Sequence, residues 1–325
     1  MSYNNVIFLS GSGRSGTNIS KAIFDKHSRV ATLPFEYRFS IDPKGVVEFY
    51  SNYNQNWSPY AVSHQLKAFE NYLLSLAKKN QLKYQTSRLL KAFDKGRILS
   101  PFPYSGWELE KWMPGYESFV KELFQNLIAF KYQANWPGEA GLKYKNELFF
   151  TPFLTKEQLA EYLVPFLDKC VGANLKLQKK DFFVEDNTWS ILFADKLFDL
   201  FPNSKLIHVL RDPRDVVASL LKQRWTPNEF EHVVVWYESI MKKWMTLMPK
   251  LDSNRVLEIR LEDLIANTSK TVELMCAFSG LSFEETMLTV KLNKSNTGRY
   301  KTELTEAQIH FLESRLKPIL AHYNY

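Results

Sequence analysis

Residues 6–18, VIFLSGSGRSGTN, decide the fold of this 325-residue chain. Val6–Leu9 is a short run of apolar, β-branched and aromatic side chains, which is typical of a strand buried on both faces. Beyond the glycines, Ile19, Ile23 and Phe24 recur at helical spacing. Because a glycine-rich turn here joins a strand to a helix N-terminus, free backbone N–H groups and the helix dipole favour a negative charge at the turn. The stretch therefore predicts an anion-binding loop.

The loop resembles a Walker A motif without obeying its rule. Gly11 and Gly16 have the required spacing, but Thr17 follows where a nucleotide-triphosphate loop has lysine. The cation is instead Arg14, whose planar guanidinium suits phosphate. An ordinary tight turn is the alternative interpretation. The combination favours phosphate binding by six residues: Gly13, Arg14, Ser15, Gly16, Thr17 and Asn18.

Composition limits the classes of ligand. The net charge of +7 fits an anionic ligand or partner, but the basic residues are spread along the chain, so we expect no nucleic acid partner. The 24 Phe, 16 Tyr and 8 Trp suit an aryl, lipid or carbohydrate pocket and suit a plain core equally well.

Cysteine and histidine usage argues against a metal site. Cys170 and Cys276 are far apart and are expected to be reduced core residues. The six His do not cluster, and no CxxC or HExxH spacing occurs, so no metal is predicted.

The chain has no secretory-signal pattern at its start and no apolar run of about 18 residues, so we expect a cytoplasmic enzyme without a membrane span.

Strand-like and helix-like segments alternate along the chain. Strands are expected at Val30–Leu33, Phe182–Val184, Leu206–Leu210 and Arg255–Ile259, with helices between them, including one from about Trp189 to Leu200. This alternation predicts an α/β fold with a parallel sheet flanked by helices. One domain over residues 1–325 is expected.

A helical insertion is predicted at about residues 43–180. One helix is centred on Leu66–Ala77, a second runs from Phe119 to about Phe130, and a capping box at Thr155 opens a third. Two further capping boxes are predicted at Ser282 and Thr305. Aromatic and Pro- or Gly-bearing segments lie between the helices, namely Pro101–Tyr104, Trp107, Trp112 and Trp136–Gly138.

Polar residues follow several of the predicted strands. Glu36 and Arg38 come just after the second strand, and ligands of parallel sheets bind at the edge where strands end. A solvated loop carboxylate is the plain alternative for Glu36. Arg211 ends a buried strand, and Ser219 lies on the helix that Pro213 opens. These two residues predict a second phosphate site, against the alternative of an Arg–Asp surface network.

At this point the chain resembles the sulfotransferases that use 3′-phosphoadenosine 5′-phosphosulfate (PAPS). Residues 13–18 resemble their 5′-phosphosulfate loop, and the segment from Arg211 to Ser219 resembles their 3′-phosphate motif. Residues 260–264 resemble the family's RYEDL segment, with Leu261 in the aromatic position. Arg299, Tyr300 and Lys301 resemble the C-terminal segment that closes over the nucleotide in bacterial and tyrosyl-protein members.

The resemblance implies a P-loop-like fold and transfer of a sulfuryl group from PAPS to an acceptor hydroxyl or amine, leaving adenosine 3′,5′-bisphosphate. It implies catalytic roles for Glu36 as the base, for Arg14 and for Arg38. The chain departs from the family at residues 186–188, which read Asp-Asn-Thr where many relatives have Lys-Thr-Pro. Lys143 or Lys145 could substitute for that lysine.

Alternatives remain at this level. A P-loop kinase is the rival enzyme, since Val184-Glu185-Asp186 resembles a Walker B end. A nucleotide- or glycan-binding module without catalysis is the non-enzyme alternative. His64 is the rival base, whereas His208 lies in a buried strand. A small molecule or a glycan is the expected acceptor, and a peptide is possible.

Overall fold

The computed structural model describes residues 3–79, 82, 85, 86, 89, 108–134, 147–292 and 297–325. The chain divides into two compact units. The sheet unit comprises Asn5–Tyr37, Lys180–Phe198 and Asn203–Tyr325, and the helical unit comprises Met1–Asn4, Arg38–Lys179 and Asp199–Pro202. The segments around Pro101–Tyr104, Trp107, Trp136–Gly138, Lys143 and Lys145 lie outside the described residues.

The elements follow one another in this order. The strands are β1 (Asn5–Ser10), β2 (Val30–Ala31), β3 (Phe130–Gln133), β4 (Glu147–Phe150), β5 (Phe182–Asp186), β6 (Ser204–Leu210) and β7 (Val256–Arg260). The α-helices are α1 (Thr17–Phe24), α2 (Val46–Asn52), α3 (Pro59–Ala77), α4 (Leu109–Trp112), α5 (Tyr116–Leu127), α6 (Lys156–Gln178), α7 (Ala194–Leu200), α8 (Pro213–Leu220), α9 (Phe230–Leu247), α10 (Leu261–Ala266), α11 (Thr268–Ser279), α12 (Tyr300–Glu303) and α13 (Glu306–Tyr323).

Five parallel strands form the sheet of the sheet unit, in the order β2-β5-β1-β6-β7. Ile7 in the central strand pairs with Val184 on one side and with Lys205 on the other. Since all the strands run the same way, the loops after β1, β5 and β6 leave at one edge, side by side. The predicted α/β fold with a parallel sheet is confirmed.

The core of this unit explains why the strand sequences are continuously apolar. Ile7 and Leu9 are buried together with Ile207 and Val209 of the neighbouring strand. Helices α10 and α11 add Leu264, Val272, Met275 and Cys276 to the same cluster. Side chains on both faces of a parallel sheet are covered by such helices, which favours uninterrupted Val, Ile and Phe. Cys170 and Cys276 are both free and buried, as predicted.

The helical unit differs from its prediction at the second helix. Helix α5 ends at Leu127, and Phe130 lies instead in β3, which pairs antiparallel with β4. The Phe130 ring stacks on Phe150 with centroids 4.7 Å apart, a cross-strand contact that local periodicity does not reveal. Helix α3 and the capping box that opens α6 at Thr155 are confirmed.

Three further boundaries differ from the sequence predictions. The second strand is only Val30–Ala31, and the helix expected from Trp189 begins as a 3₁₀ turn, Ser190–Phe193, before α7. The capping box predicted at Ser282 is wrong, because the element that follows is a 3₁₀ turn, Glu285–Thr289, whose N-cap is Glu284 and which has no side-chain capping hydrogen bond. The box at Thr305 is confirmed. In the described part of the chain, no helix is long and apolar enough to cross a membrane.

Candidate active site

The loop between β1 and α1 has a backbone that depends on glycine. Gly13 and Gly16 have φ values of 85° and 112°, in the left-handed region that L side chains rarely adopt, and Arg14 has φ 57°. A Cβ atom at Gly16 would lie 2.7 Å from Cδ1 of Leu261. The glycines therefore allow both the sharp turn and the close approach of α10.

Donors at the start of α1 are available to a ligand. The first backbone bond of the helix runs from Ile19 N–H to Gly16 O, at 3.1 Å, so the amides of Thr17 and Asn18 precede the helical ladder. The hydroxyl of Ser15 is buried and has no hydrogen-bond partner among the described residues. Buried polar groups are normally paired, so this arrangement fits an anion that would accept from Ser15 and the adjacent amides.

The two basic motifs meet in the sheet unit. The Nε atom of Arg14 donates to Oγ of Ser219 at 3.1 Å. An Nη1 atom of Arg211 donates to the backbone oxygen of Arg14, also at 3.1 Å. The structure thus brings together three of the predicted site residues from two motifs about 200 positions apart in sequence.

The Arg211 side chain is buried beside a buried carboxylate. It is 9% exposed, and its Nη2 lies 3.6 Å from Oδ2 of the fully buried Asp215. Burial lowers the pKa of the Arg211 guanidinium, while Asp215 opposes that effect. An arginine remains cationic in proteins, so a partly desolvated positive charge stands beside the loop.

Asp215 also fastens the C-terminal segment that was predicted to bind nucleotide. It accepts hydrogen bonds from the backbone of Gly298 at 2.8 Å and of Tyr300 at 3.2 Å. Arg214 lies over the Tyr300 ring, 4.6 Å from its centroid. Arg299 forms two hydrogen bonds with Glu303, both 2.9 Å, and the exposed Lys301 lies 5.8 Å from the Tyr300 ring centroid. The segment is therefore anchored next to Arg211.

Glu36 is linked to the loop through Thr188. The Thr188 hydroxyl donates to Oε1 of Glu36 at 3.4 Å, and its backbone oxygen accepts from Gly11 N–H at 3.2 Å. The structure thus brings Glu36 to the edge where β1 and β5 end. Arg38 belongs to the helical unit, where it begins a 3₁₀ turn, Arg38–Ser40.

Two buried carboxyl groups lie near Glu36. Burial raises the pKa of Asp186 to about 6, and the charge of Glu36 adds to this. Burial also raises the pKa of Glu185 well above its ordinary value, helped by Asp186 and Glu36. The side chain of Thr17 forms a hydrogen bond with Asp186, which lowers that pKa. Within the described residues, no group of three His, Cys, Asp or Glu has an arrangement that could hold a metal ion.

The histidines considered as bases have other surroundings. His64 lies on α3 in the helical unit, where it lines a cavity with Lys44 and Glu48. His208 is fully buried in β6, and its Nδ1 lies 2.8 Å from Oε1 of Glu258, which also accepts from the Trp244 indole. His208 therefore belongs to a core network, as its strand position indicated.

The sequence interpretation missed Thr188 as a link between Glu36 and the loop. It also missed Tyr237 of α9, whose hydroxyl forms a hydrogen bond with the side chain of Ser12 in the loop. The only sequence signal for Thr188 was its place just after β5, since residues at that edge converge on the site. Tyr237 gave no such signal, because its contact depends on how α9 packs.

A family model described as "Sulfotransferase family" matches residues 6–285. No curated protein matches the chain significantly.

Solved structures with similar folds include three sulfotransferase structures. The sulfotransferase domain from the curacin biosynthetic pathway is 15% identical, with 100% of this chain and 99% of that chain covered and a TM-score of 0.49. The sulfotransferase domain of the Synechococcus PCC 7002 olefin synthase is 15% identical, covering 100% and 96%, with a TM-score of 0.48. Sulfotransferase STF1 from Mycobacterium tuberculosis H37Rv is 14% identical, covering 97% and 76%, with a TM-score of 0.46.

Proposed function

The chain belongs to the sulfotransferase family, and we propose that it transfers the sulfuryl group of PAPS to a hydroxyl or amine of its acceptor. The observation that carries this proposal is the meeting of Arg14, Ser219 and Arg211 beside the glycine loop. A donor with phosphate groups at both the 5′ and 3′ positions needs two adjacent anion sites, and these side chains would provide both.

Each phosphate of the donor has its own set of residues. Ser15 Oγ, the amides of Gly16 to Asn18 and the Arg14 guanidinium would hold the 5′-phosphosulfate. Arg211 and Ser219 would hold the 3′-phosphate. The Ser15 hydroxyl supports this assignment, because it is buried and has no hydrogen-bond partner among the described residues, which an anion would supply. Arg211 supports it as a cation whose partial burial strengthens its attraction for an anion. Arg299, Tyr300 and Lys301 would lie along the nucleotide.

The proposed chemistry is an in-line displacement at sulfur. The acceptor oxygen attacks the sulfur, the bond to the 5′-phosphate oxygen breaks, and negative charge grows on that leaving oxygen. Arg14 and the loop amides would stabilise this charge, and Glu36 would take the acceptor proton. Arg38 is proposed as an auxiliary cation. A sulfuryl group carries less charge than a terminal phosphate, so a divalent metal is less necessary for its transfer.

The kinase alternative has less support. A Walker loop requires lysine after its second glycine, and here Thr17 occupies that position. The hydrogen bond between Thr17 and Asp186 is a contact that a metal-dependent kinase would share. The family to which the chain belongs argues for sulfuryl transfer instead.

We infer that residues 43–180 determine acceptor choice within a single functional domain, and that the acceptor is a small molecule or a glycan. Cytoplasmic location is a prediction that cell fractionation would test.

The test of this function is direct. Radiolabelled PAPS is incubated with the enzyme and a mixed acceptor panel in buffer containing a chelator, and labelled products are identified by mass spectrometry. Transfer to an acceptor without added metal is the expected result. Transfer of phosphate from ATP, with a strict Mg²⁺ requirement, would contradict the proposal and favour the kinase.

A further inference from the structure

Three tryptophans of the sheet unit form a cluster: Trp189, Trp225 and Trp236. Their ring centroids lie 5.9 Å apart for Trp189 and Trp225, 6.1 Å for Trp189 and Trp236, and 5.9 Å for Trp225 and Trp236. All three pairs are edge-to-face, with interplanar angles between 61° and 75°. Trp225 is nevertheless 44% exposed. Part of the Trp225 ring surface is therefore open to contact with an aromatic ligand.

The cluster lies against the glycine loop. A Cβ atom at Gly13 would be 3.1 Å from Cη2 of Trp225 and 3.3 Å from Cγ2 of Thr188, so both side chains flank the same glycine. Thr188 in turn donates to Glu36 at 3.4 Å. The contacts therefore run from Trp225 past Gly13 to Thr188 and Glu36, on the side of the loop where the proposed base lies.

The cluster also holds an unused donor. The indole Nε1 atom of Trp189 is buried and has no hydrogen-bond partner among the described residues. Trp189 directly follows residues 186–188, where the family's lysine is missing. A buried N–H without a partner costs free energy, and a ligand oxygen at this position would recover it.

We propose that this tryptophan cluster binds the acceptor, and that the acceptor is a planar aryl hydroxyl compound. The inference rests on the proposed function. An aromatic ring would stack on the exposed Trp225 surface, and an oxygen of the ligand would accept from the Trp189 indole N–H.

The chemistry of the base favours the same class of acceptor. A phenolic hydroxyl, like that of tyrosine, has a pKa of about 10. This value is much closer to the pKa of a carboxylic acid than the pKa of an alkyl alcohol is. Proton transfer to Glu36 is therefore easier from a phenol than from a sugar hydroxyl. In the step, the phenol oxygen bonds to sulfur and its proton goes to Glu36. The electron pair of the broken S–O bond stays on the 5′-phosphate of adenosine 3′,5′-bisphosphate.

The test uses 2-naphthol and glucose as probe acceptors, with Trp225→Ala, Trp225→Phe and Trp189→Phe variants. Phe311→Ala is the matched control, because the Phe311 side chain is likewise partly exposed, at 40%, and packs against another aromatic ring. Its ring centroid lies 5.9 Å from that of Phe230, the first residue of α9. We expect wild-type enzyme to sulfate 2-naphthol and not glucose. Trp225→Ala should raise KM for 2-naphthol about tenfold or more, and Trp225→Phe should restore most of it. Trp189→Phe should lower kcat/KM about tenfold.

Calorimetric measurement of adenosine 3′,5′-bisphosphate binding distinguishes a failure of the aryl-acceptor inference from a failure of the proposed function. It also shows whether each variant is folded. The binding should be unchanged in all four variants. If wild-type enzyme binds this nucleotide but sulfates glucose rather than 2-naphthol, or if Trp225→Ala behaves like Phe311→Ala, the aryl inference is wrong and the proposed function stands. If Trp189→Phe alone has no effect, its indole does not serve the ligand. If wild-type enzyme does not bind the nucleotide, the proposed function itself fails.

Discussion

Among single residues, Glu36 carries the proposed chemistry most directly. The Glu36→Gln substitution keeps the shape and the hydrogen bond from Thr188 but removes basicity. General-base contributions are about 10²–10⁴-fold in rate, so kcat should fall by that order while affinity for adenosine 3′,5′-bisphosphate changes little.

Turnover at saturating PAPS measures this effect. Glu231→Gln, an exposed carboxylate in the first turn of α9, is the control and should retain wild-type turnover. If Glu36→Gln keeps more than about half of the wild-type rate, Glu36 is not the base. His64→Ala then identifies or excludes the rival base.

Asp186 predicts a pH dependence of stability. Its pKa is raised from 3.8 to about 6 in the folded protein, mainly by burial. Its contribution to stability is therefore fully present below about pH 4 and is lost as pH rises through 6. The shift corresponds to a loss of about 3 kcal/mol at neutral pH.

The Asp186→Asn variant remains neutral and avoids this loss. Its stability relative to wild type should increase between pH 4 and pH 7.5, as measured by urea unfolding at both values. The same difference in unfolding free energy at the two pH values would show that the Asp186 carboxyl does not titrate as described.

Among the elements, the loop and α1 depend on Gly16. Alanine at this position would require a φ of 112° and a Cβ placed 2.7 Å from Leu261. Gly280 ends α11 at φ 80° with nothing within 4 Å of the corresponding Cβ, so Gly280→Ala tests the backbone cost alone.

We expect Gly280→Ala to lose about 1 kcal/mol of stability, the cost of an L residue in the left-handed region, and to keep nucleotide binding. Gly16→Ala should weaken binding of adenosine 3′,5′-bisphosphate at least tenfold, because the α10 contact and the loop amides must shift. Calorimetry together with urea unfolding measures both effects. Equal nucleotide affinities in the two variants would contradict this prediction, because they would show that the backbone shape of the loop at Gly16 is not needed for binding.

Elements whose signals are local could be predicted from the sequence. The apolar run before Gly11 gave β1, and the Thr155 and Thr305 capping boxes gave the starts of α6 and α13. The antiparallel pair β3–β4 could not be predicted, because the strand conformation of Phe130 depends on its pairing with Phe150, which is distant in sequence. The Ser282 box failed because the turn that follows it is a 3₁₀ turn that begins after Glu284 and has no side-chain capping hydrogen bond.

The same distinction holds for the site. Arg14 lies in the loop after β1, Arg211 directly follows β6, and Ser219 lies on the helix that comes next. Their convergence could be predicted, since parallel strands end at one edge of the sheet. The Trp189–Trp225–Trp236 cluster could not be predicted, because its members come from three separate segments whose packing decides their contacts. A hydroxyl such as that of Thr188 has no sequence pattern that marks its partner.

At the scale of the whole molecule, the order of the strands creates the site. The central strand β1 lies between β5 and β6, so the loop after it is adjacent to Thr188 on one side and to Arg211 on the other. The net charge of +7 adds a general attraction for an anionic donor. The proposed function depends on this meeting of segments rather than on any one motif.

The most direct measurement is calorimetric titration with adenosine 3′,5′-bisphosphate and with adenosine 5′-phosphate, for wild-type protein, Ser219→Ala and the surface control Ser239→Ala. If Arg211 and Ser219 hold a 3′-phosphate, wild-type protein should bind the bisphosphate roughly ten- to a hundredfold more tightly than the monophosphate. Ser219→Ala should lose about tenfold of that preference, and Ser239→Ala should keep it. Equal affinities for the two nucleotides in wild-type protein would contradict the account.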